Sequence, residues 1–309
     1  MREETEAPTT LSALVEAYCR EVVLSPGSIR NYRITARVFK RDTGVDELSK
    51  IDKNLVIAWR DTVLQRVTVV TWNSYLTYLR IAFSFAVRSG WIEHNPFQYV
   101  KQLGAWKKRK KTVPDEVTRR AIRLLQEPDE PIKPGWFWVI VVRLLFFTGM
   151  RARQLTALRW WNHIDFTHKT MLLAVEGSKT KREWIIPIPP DCVEDLLYLR
   201  NRTLRVNPNA VTLHHQVFRI QLFNREYKRQ ELTTDQVSGF FRRLSQTLGA
   251  PITSRRLRHT MATKLAQGQQ PYLKSLQFLL GHTCLRTTLE YVEPEMGQLR
   301  SVLTRLRLD

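Results

Sequence analysis

The chain has 309 residues, enough for about two domains, and 43% of them are hydrophobic, so each domain can bury a core. Its 49 lysines and arginines face 29 carboxylates, a formal net charge of +20. Such an excess repels itself on folding and points to a polyanionic partner. No run of 18 apolar residues occurs, and Cys19, Cys192 and Cys284 are scattered with no CxxC pair. No helical membrane span, disulfide framework or cysteine zinc site is suggested, and the acidic start (Glu3, Glu4, Glu6) is unlike a signal peptide. The expectation is a soluble, cytoplasmic protein with no metal and no cofactor.

Leu11, Leu14, Val15, Tyr18, Cys19 and Val22 fall at helical spacing after Thr9 and Thr10, which suit a cap. A second helix is expected from Ser28, with Ile29, Tyr32, Ala36 and Phe39 on one side, and a third from Lys53 to Gln65. A fourth begins near Thr71, runs through Trp72, Tyr75, Leu76, Leu79, Phe83 and Ala86, and stops at Gly90. The first hundred residues thus read as a small all-helical domain, set at 1–103. Residues 104–112 follow as a linker, because the consecutive cations Lys107, Lys108, Arg109, Lys110 and Lys111 cannot sit in a core. Laid along DNA they would neutralise several phosphates; the ordinary alternative is a solvated loop. Residues 1–105 carry 14 basic and 11 acidic side chains, a net of +3, which leaves +17 for residues 106–309.

The second domain, 113–309, opens with a helix from Pro114 to Gln126. Another starts at Pro134, whose fixed φ suits a first turn, and runs to Phe147 before Gly149 interrupts it. Strands are expected at Thr170–Val175 and Glu183–Ile188, joined by a turn over Gly177–Arg182. Helices resume at Asp191–Arg205, Thr234–Leu248, Arg255–Gln267, Pro271–Leu280 and Pro294–Leu306. The fold class is mainly α, an all-helical N-terminal domain followed by a mostly helical one with a small antiparallel sheet.

Four segments carry candidate chemistry. Thr148-Gly149-Met150-Arg151 places a cation just past an apolar helix, a costly position unless a carboxylate or another anion pairs with it. Lys179 lies at the hairpin tip, where lysines are ordinary. In Arg255-Arg256-Leu257-Arg258-His259, Arg255 and Arg258 are three apart on one helix face and repel each other unless an anion such as phosphate lies between them. Leu279-Leu280-Gly281-His282 ends an apolar helix, with Gly281 suited to the left-handed cap, and Thr287, Thr288 and Tyr291 follow.

In this order and spacing the segments resemble the tyrosine recombinase (phage integrase) family, over about residues 112–295. Thr148-Gly149-Met150-Arg151-Ala152-Arg153-Gln154-Leu155 is similar to its first box, and Lys179, followed by Ile185-Ile186-Pro187, to its hairpin lysine. Leu257-Arg258-His259-Thr260-Met261-Ala262-Thr263 resembles the second arginine box. Leu280-Gly281-His282 through Thr287-Thr288-Leu289-Glu290-Tyr291 resembles the last and most specific one. One position departs: the family's histidine three residues before the second arginine is Arg255 here, and an arginine cannot accept a proton.

The resemblance implies a core-binding, SAM-like N-terminal domain and a catalytic domain that together clamp duplex DNA. It implies a site-specific recombinase that cleaves and rejoins DNA through a 3′-phosphotyrosine at Tyr291, for integration, excision or inversion of an element. Arg151, Arg258 and His282, with Arg255 added, would hold the phosphate, and Lys179 would protonate the leaving 5′-oxygen. The proton of Tyr291 is left to His282, water or the phosphate itself. Partners implied are a duplex recombination site, a homotetramer on synapsis and an accessory DNA-bending or directionality protein. The helix from Pro294 would dock on a neighbouring protomer or on its own domain. Two rival readings are a type IB topoisomerase or telomere resolvase, and a DNA-binding regulator with an altered pocket.

Overall fold

The structure is a computed structural model, which describes residues 7–105, 110–129, 132–175, 182–211, 214–267, 273–292 and 304. The chain forms two compact units, Met1–Lys108 and Arg109–Asp309.

The first unit is built from α1 (Leu11–Glu21), α2 (Pro26–Thr43), α3 (Lys53–Leu64) and α4 (Val69–Arg88). Each opens on the side chain its sequence offers. Thr10 accepts from the Ala13 amide, Ser25 from Ser28, Asp52 from Leu55 and Thr68 from Thr71, which satisfies amides that lack a helical partner. Helix α2 therefore starts two residues before the expected Ser28, with Pro26 in its first turn. The inward faces meet in a core centred on Phe39, Trp59, Trp72 and Phe83, where each fully buried large side chain contributes about 1.5–3 kcal/mol. Gly90 takes positive φ beyond α4. The chain then folds back: Asn95 donates to the Arg80 carbonyl (2.9 Å), and Asn73 bonds both the amide and the carbonyl of Leu103.

The second unit is organised round α6 (Gly135–Thr148), a helix apolar on nearly all sides and therefore central rather than amphipathic. Around it pack α5 (Asp115–Gln126), α9 (Pro190–Val206) and α11 (Ser254–Ala266). Trp138 of α6 stacks on Phe240 of α10 (Thr234–Leu248), 3.9 Å between ring centroids. Pro134 precedes α6 in extended conformation, so the helix begins one residue after the expected proline. Short helices α7 (Ala152–Ala157) and α8 (Trp160–His163) lead into a three-stranded antiparallel sheet of order β1 (Ile164–Asp165), β2 (Thr170–Leu173) and β3 (Trp184–Pro187). Met171 pairs with Ile186 in register, both buried. Strand β1 has no counterpart in the sequence reading, and the expected strands shorten at their ends. Helices α12 (Leu273–Leu280) and α13 (Leu285–Leu289) complete the described fold. The mainly helical class with a small antiparallel sheet is what the sequence led one to expect. Among the described residues no helix is long and apolar enough to cross a membrane.

Candidate active site

Three helix ends converge on one side of α11. Helix α6 stops at Gly149, in the left-handed region at φ 60°, and two residues later Arg151 opens α7. Its backbone amide donates to the Gln154 side chain at 2.8 Å, which fixes the turn. Helix α12 stops at Gly281, also left-handed at φ 62°, and His282 follows with its amide bonded to the Gln277 carbonyl. Both glycines are needed for their conformation. They also leave no room for a β-carbon, against Met261 and Trp184 respectively. Helix α13 then delivers Tyr291, which packs against Met261, Ala262, Leu276 and Leu280 and is only 4% exposed.

Arg258 ties these ends together. Buried on α11, it donates from Nη1 to the Gly149 carbonyl (2.7 Å) and from Nη2 to the Leu280 carbonyl (2.8 Å). Both carbonyls sit at helix C-termini, where the backbone dipole favours a cation. Its Nη2 also lies 3.1 Å from His282 Nε2. An arginine nitrogen can only donate, so His282 Nε2 accepts; Nδ1 then carries the proton and donates to the Thr288 hydroxyl at 3.0 Å. The ring of His282 lies nearly parallel to that of Tyr291, 9° between planes.

His259, the next residue on α11, has Nδ1 3.1 Å from the Tyr291 oxygen, and Arg255 approaches its Nε2 from one turn earlier. Nothing in the sequence reading gave His259 a role. Its neighbour in the motif drew attention instead, and the contact to Tyr291 spans 32 residues. Lys110, from the basic run, pairs with Glu290 at 2.7 Å and lies 5.7 Å from the centre of the Tyr291 ring. Three residues on, the Val113 amide donates to Thr260 of α11.

The pocket is electropositive and, among the described residues, no carboxylate is paired with Arg151, Arg255 or Arg258. Nη1 of Arg151 is buried without a hydrogen-bond partner. The structural alternative for Arg151, a fixed ion pair, is thus not what the fold supplies. Burial, then the charge of Arg151, draws the Arg258 pKa down to about 10, still protonated at neutral pH. Burial also pushes Arg151 below its usual range, with Arg255 adding to the effect. Burial and the surrounding cations push both His259 and His282 down to about 4, so both rings are neutral at pH 7. Such a set of positive groups without counter-charge is suited to an anion with several oxygens.

The sequence-derived residues Arg151, Arg255, Arg258, His282 and Tyr291 therefore meet in one pocket, joined by Lys110. Lys111 is described, outside the contacts above. Lys107, Lys108, Arg109 and Lys179 lie outside the described residues, as does the expected last helix, Pro294–Leu306, apart from Thr304. No group of three or more histidine, cysteine or carboxylate side chains able to hold a metal occurs among the described residues.

The phage integrase family model matches residues 120–298, more than half of the chain. The chain belongs to the phage integrase family. Among its relatives is a Pseudomonas syringae protein named for the tyrosine recombinase XerC, 29% identical over 307 residues. The alignment takes in 96% of this chain and 64% of that protein. The tyrosine recombinase XerC of Chlamydia muridarum is 29% identical over 225 residues, 72% of this chain and 66% of that one. The chain thus spans just under two thirds of the length of these relatives. Among solved structures, the Tn1549 transposon integrase in complex with a circular intermediate DNA superposes with a TM-score of 0.73 at 18% identity, over 97% of this chain and 100% of that one. A lambda integrase dimer bound to a core site gives 0.69 at 19% identity, over 92% and 77%. At such identities the likeness speaks for the fold, and the integrase fold holds for both units of the chain.

Proposed function

We propose that this integrase-family chain is a site-specific DNA recombinase that cuts and rejoins duplex DNA through a covalent phosphotyrosine. The observation that carries the reading is that Arg258, bonded to His282, and Arg151, whose Nη1 is buried without a partner, both interact electrostatically with Tyr291 and with Arg255, with no carboxylate paired to those arginines among the described residues. The recombinase and integrase names of its relatives favour it over the topoisomerase-like and regulator readings.

A DNA phosphodiester is anionic and repels nucleophiles, and charge grows on its non-bridging oxygens as a fifth bond forms. Arg151 and Arg258, fixed before the substrate arrives, would bind those oxygens and stabilise the growing charge, the largest single contribution such a site makes. His282 would join them once the phosphate draws Arg258 away from its Nε2 and the added negative charge lets that nitrogen take up a proton, with Arg255 in support. The Tyr291 oxygen gives its proton to His282, water or a phosphate oxygen and forms the new bond to phosphorus, while the 5′-oxygen leaves and takes a proton, for which Lys179 is the candidate donor. The covalent link keeps the energy of the broken bond, so rejoining by an incoming 5′-hydroxyl needs no nucleotide cofactor. The N-terminal helical unit and the basic run would add phosphate contacts that set affinity. A lambda integrase tetramer is known on a Holliday junction; a tetramer on paired sites, acting in the cytoplasm, is the corresponding proposal here.

The test is trapping on a nicked suicide duplex cut from the ends of the DNA element that carries the gene. Wild-type protein should form an adduct that survives denaturation, and Tyr291→Phe should lose the adduct while retaining binding. A wild type that binds the duplex and leaves no adduct would favour the regulator reading.

A further inference from the structure

The family's histidine before the second arginine is replaced by Arg255, yet an imidazole still touches the nucleophile. His259 Nδ1 is 3.1 Å from the Tyr291 oxygen, and the rings lie 5.5 Å apart, centre to centre. On the other side of the imidazole, Arg255 Nε points at His259 Nε2 across 3.4 Å. The contact is long, but its polarity has one solution. A guanidinium N–H has no lone pair to offer, so a proton on Nε2 would set donor against donor. The ring is also neutral at pH 7, since burial and then the charges of Arg255, Lys110 and Arg258 oppose its protonation. A neutral imidazole whose Nε2 accepts must carry its single proton on Nδ1. That nitrogen faces the phenol oxygen.

We infer that His259 is a catalytic residue of this chain: held as the Nδ1–H tautomer by Arg255, it donates a hydrogen bond to the Tyr291 oxygen and stabilises the attacking phenolate. Arg255 is then a positioning residue as well as a cation near the phosphate. The proton of Tyr291 goes to His282, water or a phosphate oxygen and not to His259, whose only nitrogen facing the phenol is already occupied. Lys110, paired with Glu290, lies 5.7 Å from the centre of the same ring, and Arg258 and Arg151 carry positive charge in the same pocket, so His259 is one of several groups that face the phenol. Loss of the His259 donor therefore weakens the stabilisation without abolishing it.

The tautomer part stands independently of the recombinase reading; the catalytic part rests on it. Both are read on the full chain without DNA. In protein with 15N-labelled histidine, the His259 resonances at neutral pH, identified by their absence from His259→Asn, should show a protonated Nδ1 and an unprotonated Nε2. An Nε2–H form or a doubly protonated ring overturns the inference. Arg255→Met should let the Nε2–H form appear; an unchanged pattern would remove Arg255 from its positioning role. In protein carrying 13Cζ-tyrosine, the signal lost in Tyr291→Phe should move to its phenolate position about one pH unit higher in His259→Leu than in wild type, a tenfold change in the phenol–phenolate ratio. His259→Asn, whose amide N–H replaces the donor, should stay near wild type. Equal midpoints in wild type and His259→Leu sink the proposal. If the leucine variant does not fold, His259→Gln, whose amide cannot occupy the Nδ1 position, serves as the disruptive change.

Discussion

The two neutral histidines of the site make folding stability depend on pH in a direction that can be worked out. Both have a folded pKa of about 4 against 6.5 for a free imidazole. The unfolded chain therefore binds the proton more tightly, and the stability each histidine contributes is complete above 6.5 and is lost as pH falls toward 4. A shift of that size is worth roughly 3 kcal/mol at full protonation, of which about 2 kcal/mol is lost between pH 7 and pH 5. His259 is 8% exposed and takes the full value, while His282, more open to solvent screening, takes a smaller share. The assay is urea unfolding followed by tryptophan fluorescence at pH 7 and pH 5, for wild type and His259→Asn. Carboxylates titrating over the same range cancel in the comparison. Wild type should lose about 2 kcal/mol more than the variant. Equal losses in the two proteins would refute a buried, cation-surrounded His259. A bound phosphate would supply the missing negative charge, so the same experiment with DNA present should show a shallower pH dependence.

Arg151 and Arg258 should separate function from stability. Arg151→Ala removes a guanidinium whose Nη1 has no partner, so thermal unfolding should change little while adduct formation slows by about 10²–10³. Arg258→Ala leaves the Gly149 and Leu280 carbonyls without their donor and should cost on the order of 2–4 kcal/mol of stability as well as activity. A lower melting temperature for Arg151→Ala than for Arg258→Ala would reverse that assignment. Cleavage should continue in excess EDTA at the same rate as without it, measured by adduct yield over time, because the positive charge in the proposed mechanism comes from side chains; a rate that falls on chelation and returns with a divalent cation would contradict it.

Much of this site was legible because local chemistry announces itself. The helices of the first unit follow from their apolar spacing and cap residues, and Gly149 and Gly281 mark helix ends that only left-handed conformation allows. The positions of Arg151, Arg258, His282 and Tyr291 came from the order of motifs, since no helical period could bring residues 151 and 291 together. What stayed hidden are contacts made across long loops. The ion pair of Lys110 with Glu290 joins residues 180 apart, so the basic run read as linker also reaches the nucleophile's surroundings. His259 read as part of a motif, and its role depends on which atom of Tyr291 lies opposite. Strand β1, two residues long, is set by pairing with β2 and has too little sequence to show a period.

The central claim is that one phosphorus is held by fixed cations while a single phenol oxygen attacks it. A structure of the trapped protein–DNA adduct tests this most directly. It should show the Tyr291 oxygen bonded to phosphorus, guanidinium nitrogens of Arg151 and Arg258 on the non-bridging oxygens, and His282 turned to the same group. Tyr291 left unlinked, or the two arginines contacting a different phosphate from the one cleaved, would contradict the mechanism.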